Sequence, residues 1–319
     1  MIEDKTHTTQ TIQVPLDLGG YRLDQALSAL FPEFSRSRHQ DWIRRGLVLV
    51  DGHSLSGKQR LIGGEMIAFT PEPDPTPSPV TPQEIPLEII FEDRDILIVN
   101  KPAGLVVHPA AGHADGTLQN ALLNHLPSLA QIPRCGIVHR IDKDTSGLLM
   151  VAKTLQSHHS LVDQLQMRTI DREYVALVQG SIVAGGTIDQ PIGRHSTDRK
   201  KFSVNRGGKL AITHFRVLER FAAHTLVRVK LETGRTHQIR VHMAHINHPL
   251  VGDPVYGGRA RLPAGAEPGL ISILRSFRRQ ALHAHTLGLS HPETEEHMAW
   301  SSELPHDFQQ LLDALRGHA

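Results

Sequence analysis

The densest group of polar residues is HRIDKDTSG at positions 139–147, which lies within GIVHRIDKDTSGLLMVAKT at 136–154. Apolar stretches flank the group on both sides, and this pattern predicts a turn held between rigid strands. A side chain on such a turn is fixed in position by the elements around it. The segment is therefore a favourable place for a preorganised carboxylate.

The same residues also match part of a calcium-binding loop. DKDTSG fits the first six positions of an EF-hand, including the glycine at position six. The twelfth position should then be a bidentate glutamate, but it is Lys153. GLLMVA, which follows, has the pattern of a strand where an EF-hand requires a helix. Both departures argue against calcium.

A second polar segment, LETGRTHQIRVHMAHINHPLVGDPVYG at 231–257, is rich in histidine. RTHQIRVHMAHI predicts a helix after the turn at Thr233-Gly234. The histidines at 237, 242, 245 and 248 suggest zinc, but 237 and 242 do not share a helical face, and no HExxH glutamate is present. The alternative is that these histidines form hydrogen bonds in the core or contact a polar ligand.

Arg240 lies in this segment between the apolar residues Ile239 and Val241. A partly buried guanidinium requires a carboxylate or a phosphate as its partner. In a third segment, TIDREYVALVQG at 169–180, Tyr174 shares a strand face with apolar residues. Taken alone, Tyr174 is more typical of a core residue with a bonded hydroxyl than of a catalytic residue.

The composition describes an ordinary soluble protein. A length of 319 residues suggests about two domains. Hydrophobic residues make up 39% and charged residues 21%, which excludes a coiled coil, a collagen-like fibre and wholesale disorder. The single cysteine, Cys135, gives no intrachain disulfide, and neither a signal peptide nor an 18-residue apolar run is present. We therefore expect a cytoplasmic protein.

Prolines divide the chain. Seven of the twenty prolines fall within residues 70–86, and such a run favours an extended spacer over a strand. A proline-rich docking motif is the alternative. The predicted domains are residues 1–70 and 87–319, joined by a linker at 71–86.

The first domain predicts a small basic module of two helices and a hairpin. Leu23, Ala26, Leu27 and Leu30 fall on one helical face, and the second helix ends near Gly46. The segment YRLDQALSALFPEFSRSRHQDWIRRGLVLVDG resembles an S4 RNA-binding domain. On the second helix, four arginines could follow a phosphate backbone: Arg36, Arg38, Arg44 and Arg45.

The second domain predicts an α+β fold around a mixed, largely antiparallel sheet. TLVRVKLE alternates apolar and charged residues, as a strand with one buried face does. Residues 194–209 carry six basic residues, Lys200 and Lys201 among them, against Asp198 alone. A solvated face explains one such cluster, but two clusters in separate parts of a chain with a net charge of only +1 favour a polyanionic partner.

Together the motifs resemble the RluA family of pseudouridine synthases. The match extends over nearly the whole chain, and HRIDKDTSG with GRTHQIRVH is its most specific part. The resemblance implies that Asp142 is the catalytic aspartate, Tyr174 the tyrosine against the uracil, and Arg240 the partner of the aspartate. It also implies that Arg140 fills the gap left by a flipped base. Ile141 and Arg172 depart from the commoner leucine and lysine but keep the side-chain character.

The resemblance further implies isomerisation of uridine to pseudouridine in large-subunit (23S) ribosomal RNA, with the helix 69 hairpin as substrate. No cofactor, metal or membrane is expected, and the large-subunit precursor is the expected partner of a monomer. The carboxylate could attack the nucleoside or remove a sugar proton. Two other functions stay open, a non-catalytic RNA-binding assembly factor and a metal hydrolase built on the histidines.

Overall fold

The computed structural model describes residues 9–31, 34, 36–70, 80–109, 113–198 and 201–318. These residues form two compact units that divide between residues 79 and 80. Lys200 and residues 71–79 of the predicted linker lie outside the described residues. In the described part of the chain, no helix is both long and apolar enough to cross a membrane.

The first unit combines two helices with a three-stranded antiparallel sheet of order β1-β3-β2. Its elements are β1 (Gln10–Gln13), α1 (Leu23–Leu30), α2 (Arg36–Arg44), β2 (Val48–Val50) and β3 (Met66–Phe69). Helix α1 buries Leu23, Ala26 and Leu27, as the periodicity predicts. The turn after β2 is the predicted one, since Asp51 and Gly52 both have positive φ, 49° and 79°.

The first unit combines an aromatic core with hydrogen bonds to a buried aspartate. Trp42 packs against Phe69 with ring centroids 4.7 Å apart. Asp24 is fully buried and accepts hydrogen bonds from Arg36 at 2.9 Å and from Gln40 at 2.7 Å. Burial raises the pKa of Asp24, but these hydrogen bonds and the nearby positive charges lower it by more. Arg36 therefore has a structural partner within its own unit.

The second unit is built on a nine-stranded mixed sheet. Its strands are β4 (Glu88–Glu92), β5 (Ile96–Lys101), β6 (Ser146–Ala152), β7 (Asp171–Gln179), β8 (Gly186–Asp189), β11 (Ile212–Arg220), β12 (His224–Leu231), β13 (Leu282–Ser290) and β14 (His297–Ser301), while β9 (Ile192–Arg194) and β10 (Phe202–Val204) form a separate pair. The order is β4-β5-β6-β13-β7-β12-β11-β8, with β14 on β13. Only the β6–β13 pair is parallel within the described sheet, so the predicted α+β class with a largely antiparallel sheet is confirmed.

Helices cover both faces of this sheet. They are α3 (Leu118–His125), α4 (Leu155–Met167), α5 (Gln238–His245), α6 (Pro268–Ser276) and α7 (His306–Arg316). Strand β7 shows how the faces divide, because successive residues point to opposite sides. Tyr174 and Ala176 share a core with α3 and α5, whereas Val175 and Leu177 pack with α6 and α7. The face with Tyr174 is therefore the one that α5 and its Arg240 cover.

Residues 80–86 belong to the second unit, although the proline pattern places them in the linker. The Asn120 side chain donates to the backbone carbonyl of Thr81 at 2.8 Å, and the backbone N–H of Gln83 donates to the backbone carbonyl of Asn120 at 3.1 Å. A proline removes the hydrogen-bond donor only at its own position, so Thr81 and Gln83 keep the groups that attach this segment.

Three histidines with lowered pKa values predict that stability falls on mild acidification. Burial lowers the pKa of His224 and of His283 to about 4, and burial with the nearby charge of Arg172 lowers that of His139 to about 3. Between pH 6.5 and 4 the unfolded chain therefore binds more protons than the folded chain, and each histidine removes up to about 1.4 kcal/mol of unfolding free energy per pH unit.

Urea unfolding at pH 7.5, 6.0 and 5.0 measures this loss. The His283→Asn variant should start from a lower free energy of unfolding, because His283 bonds Ser146 and Ser302, but its free energy should fall less steeply with acid. Equal unfolding free energies of the wild type at pH 7.5 and 5.0 would contradict the prediction.

Candidate active site

Asp142 lies on the loop that leads into β6. Hydrogen bonds from the Lys101 side chain hold this loop to the end of β5. Lys101 at the end of β5 is 1% exposed and donates to the carbonyl oxygens of Pro102, Leu105 and Lys143 at 2.7, 2.9 and 2.9 Å. Burial lowers the pKa of Lys101 to about 7. Because Lys143 follows Asp142 directly, these bonds hold the backbone beside the carboxylate in place.

The entry of the loop into the sheet depends on Gly147. Its φ is 114°, and a β-carbon at this position would lie 2.2 Å from the carbonyl oxygen of Ala284 on β13. A glycine is therefore required where β6 meets β13 in parallel. The glycine that resembled position six of a calcium loop thus permits close strand pairing, and GLLMVA forms a strand as predicted.

Arg240 on α5 contacts two carboxylates. Its Nη1 donates to Oδ2 of Asp142 at 2.8 Å, while Nε and Nη2 donate to the two oxygens of Asp253 at 2.7 and 2.9 Å. The structure thus brings Arg240 and Asp142 together, as the resemblance implies. The guanidinium makes its two parallel bonds with Asp253, and Asp142 receives a single bond.

Burial within this group leaves Asp142 as its accessible member. The side chains of Arg240 and Asp253 are 5% and 0% exposed, and that of Asp142 is 19% exposed. Burial opposes the charge on Arg240, but Asp253 and Asp142 raise its pKa by more. Burial raises the pKa of Asp253, but Arg240 and two backbone N–H groups lower it by more. One cation with two carboxylates leaves a net negative charge, and only Asp142 can present it to a ligand.

His237 and Tyr256 complete the surroundings of Asp142. The Tyr256 hydroxyl accepts the N–H of Phe202 at 3.0 Å and lies 2.9 Å from Nδ1 of His237. Burial lowers the pKa of His237, although Asp142 raises it. Nε2 is the ring nitrogen that faces Asp142, 3.8 Å from Oδ1. It carries the proton of the neutral imidazole in the tautomer in which the Tyr256 hydroxyl donates to Nδ1.

Tyr174 lies on β7 on the same side of the sheet and is 7% exposed. It packs in one core with Ala176 and Val178, as the alternating pattern predicts. Burial raises the pKa of its hydroxyl, and the charge of Asp142 raises it further, while that of Arg172 lowers it. The hydroxyl is therefore protonated at neutral pH and can donate a hydrogen bond.

The predicted RNA-binding residues fall into two groups. In the second unit, Arg140 is exposed two residues before Asp142, and Lys201 is half-buried. In the first unit, Arg38 lies over the Trp42 ring at 4.7 Å, and Arg44 and Arg45 pair with Asp41, with 74% and 46% of their side chains exposed. Their contacts with RNA stay predictions.

The histidines of the second segment do not converge on a metal. His242 is hydrogen-bonded to Thr213 and to the carbonyl of Gln190, and His248 is bonded to the carbonyl of Gln179. His245 is exposed. Among the described residues, the one cluster with metal-ligand spacing is Asp93, Asp95 and His291, which includes none of these histidines.

Asp253 and Tyr256 are site residues to which neither the motifs nor the resemblance assigns a role. Both lie in the quoted segment GDPVYG at 252–257, and the only local signal was a carboxylate near the buried Arg240 in sequence. Asp253 also accepts the N–H groups of Val255 and Tyr256 at 2.8 and 3.0 Å. It therefore joins the Tyr256 segment to α5.

The chain belongs to the RNA pseudouridylate synthases, and the resemblance to this family is confirmed. The family model matches residues 95–245, which include Asp142, Tyr174 and Arg240. Two solved human proteins share the fold: RNA pseudouridylate synthase domain containing 4 (TM-score 0.56, 25% identity, 72% of this chain and 93% of that chain) and domain containing 1 (TM-score 0.54, 28% identity, 73% and 96%).

Its relatives include two bacterial proteins named ribosomal large subunit pseudouridine synthase D. The protein from Pseudomonas aeruginosa is 57% identical over 304 residues, which cover 95% of each chain. The one from Escherichia coli K12 is 53% identical over 298 residues, or 93% of this chain and 91% of the relative.

Proposed function

We propose that this protein converts specific uridines of large-subunit (23S) ribosomal RNA into pseudouridine, with Asp142 as the catalytic carboxylate. The observation that carries the proposal is the bond between the buried Arg240 and one oxygen of Asp142, whose side chain is still 19% exposed. Relatives at 53–57% identity over more than nine-tenths of their length carry the name of a ribosomal large subunit enzyme, and this supports the substrate class.

The reaction breaks the bond between C1′ and N1, and its electron pair leaves with the uracil. Asp142 either attaches to C1′ or takes the proton from C2′, and both steps need an ionised carboxylate. After the uracil turns, C5 bonds to C1′, and the carboxylate is released or returns the proton to C2′. C5 then loses its own proton and N1 gains one, so the product is an isomer of the substrate. Tyr174 offers a flat ring to the base and a hydroxyl near C5.

We assign the helix 69 hairpin as the substrate from the resemblance to family members that join an S4 domain to the catalytic domain. A base in a duplex must leave its stack at a cost of a few kcal/mol, and contacts between basic residues and phosphates can supply the binding free energy. Arg140 is exposed beside Asp142, which supports a role in filling the space of the flipped base.

Incubation of the protein with a synthetic helix 69 hairpin, or with large-subunit precursors, tests the proposal by pseudouridine mapping. We expect pseudouridine at defined uridines and none in a hairpin with cytidine at those positions. RNA binding without product would favour the non-catalytic assembly factor. Because the reaction is an isomerisation that needs no redox equivalent, we expect equal rates with and without EDTA, whereas inhibition by EDTA would favour metal chemistry.

Removal of residues 1–79 should leave a folded, active second unit with weaker RNA binding. The core of the first unit consists of residues before position 70, so the second unit keeps its own core intact. The loss of each α2 arginine that binds a phosphate in the whole protein should flatten the slope of log affinity against log salt by about 0.7–0.9. Binding titrations from 50 to 300 mM salt measure this slope, and an unchanged slope would contradict phosphate binding by the S4-like unit.

A further inference from the structure

Among the described residues, Arg172 on β7 is a buried cation without a partner. It is 8% exposed, its guanidinium makes no hydrogen bond or ion pair with any residue that the structure describes, and its Nε is buried without an acceptor. Arg240, the buried arginine of the candidate active site, has three hydrogen bonds to two carboxylates. A guanidinium withdrawn from water without a counter-ion is costly, so an anion from outside the chain is the expected partner.

Arg172 lies next to the candidate active site. It precedes Tyr174 by two residues, and such residues lie on one face of a strand about 7 Å apart. Its Nη1 lies 2.9 Å from the point that a β-carbon on Gly234 would occupy, so the missing side chain at Gly234 makes room for the guanidinium. Gly234 opens the segment that leads into α5 and Arg240, which places the guanidinium among elements that form the site.

The charges around Arg172 are those of the site. Its positive charge acts on the Tyr174 hydroxyl, on which the charge of Asp142 also acts, and on His139, which precedes Asp142 by three residues. Asp142 is bonded to Arg240 rather than to Arg172. The free protein therefore offers a second cation on the catalytic face that no described residue neutralises.

We propose that Arg172 binds an anionic oxygen of the target nucleotide. This inference rests on the proposed function. Two oxygens have the required chemistry: a phosphodiester oxygen next to the flipped uridine, and an oxygen of the uracil that departs with the electron pair of the C1′–N1 bond. In both cases the substrate supplies the counter-ion that the protein lacks. A guanidinium suits an anionic oxygen, because its planar N–H donors bind oxyanions.

The first test is the stability of the RNA-free protein. The Arg172→Met variant removes an unpartnered buried charge, and we expect its melting temperature to equal or exceed that of the wild type. The Arg240→Met variant leaves Asp253 buried without a counter-ion and should melt lower. Arg228→Met is the matched control on the opposite face of the sheet, where the side chain is 48% exposed, and should leave both melting temperature and activity unchanged.

The second test separates the two oxygens by binding and single-turnover kinetics. If Arg172 binds a phosphate, Arg172→Met should weaken affinity for the hairpin at least tenfold, and a neutral methylphosphonate beside the target uridine should remove this difference. If it binds the departing uracil, affinity should persist and the rate at saturating RNA should fall at least tenfold. Arg172→Lys should restore part of the loss in either case.

Two results would overturn the inference. One is an Arg172→Met variant with affinity and rate within twofold of the wild type. The other is a fall in the melting temperatures of Arg172→Met and Arg172→Gln as large as that of Arg240→Met, which would indicate a structural role. If instead the wild type makes no pseudouridine, the proposed function fails, while stability and RNA affinity still report on Arg172.

Discussion

Replacement of Asp142 by asparagine should reduce isomerisation by about 10⁴-fold or more, as loss of the central group of a catalytic unit does. Asparagine keeps the shape of the side chain but can neither attack C1′ nor take a proton from C2′. Its amide oxygen can still accept the bond from Arg240, so the fold and the affinity for RNA should persist. Pseudouridine formed in a single turnover at saturating RNA, together with binding of the same hairpin, measures both quantities.

Asp144 provides the matched control, because it is the other carboxylate of the same loop and has no hydrogen bond to Arg240. The Asp144→Asn variant should keep a rate within a few-fold of the wild type. A reversal of the two results, with turnover retained by Asp142→Asn and lost by Asp144→Asn, would show that Asp142 is not the catalytic carboxylate.

Replacement of Arg240 by lysine should lower turnover at saturating RNA by about 100-fold or more while it changes RNA affinity little. The guanidinium holds Asp253 through two parallel bonds and directs its third nitrogen at Asp142. One ammonium group cannot hold both carboxylates in these directions. The free energy of unfolding should fall by about 1–3 kcal/mol for lysine and by about 3–5 kcal/mol for methionine, which leaves Asp253 unpaired.

Arg316 is the control for the removal of a forked ion pair, since it holds Glu219 through Nε and Nη2 at 3.1 and 2.8 Å on the protein surface. Arg316→Lys should leave turnover unchanged and alter stability by less than about 1 kcal/mol. The competing hypothesis is that Arg240 binds a backbone phosphate. In that case saturating RNA would restore the turnover of Arg240→Lys, and the role assigned to the ion pair would be wrong.

The Asp253→Asn variant tests how Arg240 is positioned, because it changes neither Arg240 nor Asp142. Asparagine keeps an oxygen acceptor but loses the charge that opposes the guanidinium, so Arg240 should lose part of its fixed direction. We expect a fall in single-turnover rate smaller than that of Arg240→Lys, with unchanged RNA affinity. A rate equal to that of the wild type would show that the contact with Asp142 alone fixes Arg240.

The sequence by itself determined the elements whose residues repeat with a clear period. Leu23, Ala26 and Leu27 predict the buried face of α1, and the alternation in TLVRVKLE predicts β12, because each pattern reflects the geometry of one element. The sequence also indicated that Arg240 needs an anionic partner. Its apolar neighbours Ile239 and Val241 predict that the guanidinium is partly buried.

Local sequence could not determine which anion that partner would be. Asp142 and Asp253 lie 98 and 13 positions from Arg240, and only the folded chain places one at the single bond and the other at the fork. The need for an anion does not select between them, because both carboxylates satisfy the same chemical requirement. The choice depends on which one is buried.

Tertiary structure alone also decided how the site is supported. The parallel pairing of β6 with β13 joins Ser146 to His283, 137 positions apart, and Lys101 reaches the carbonyl of Lys143 from another strand. That no described residue pairs with Arg172 is likewise visible only when its neighbours are in place. Hydrogen bonding and burial depend on distances in space, and the spacing of residues along the chain carries no information about contacts between distant segments.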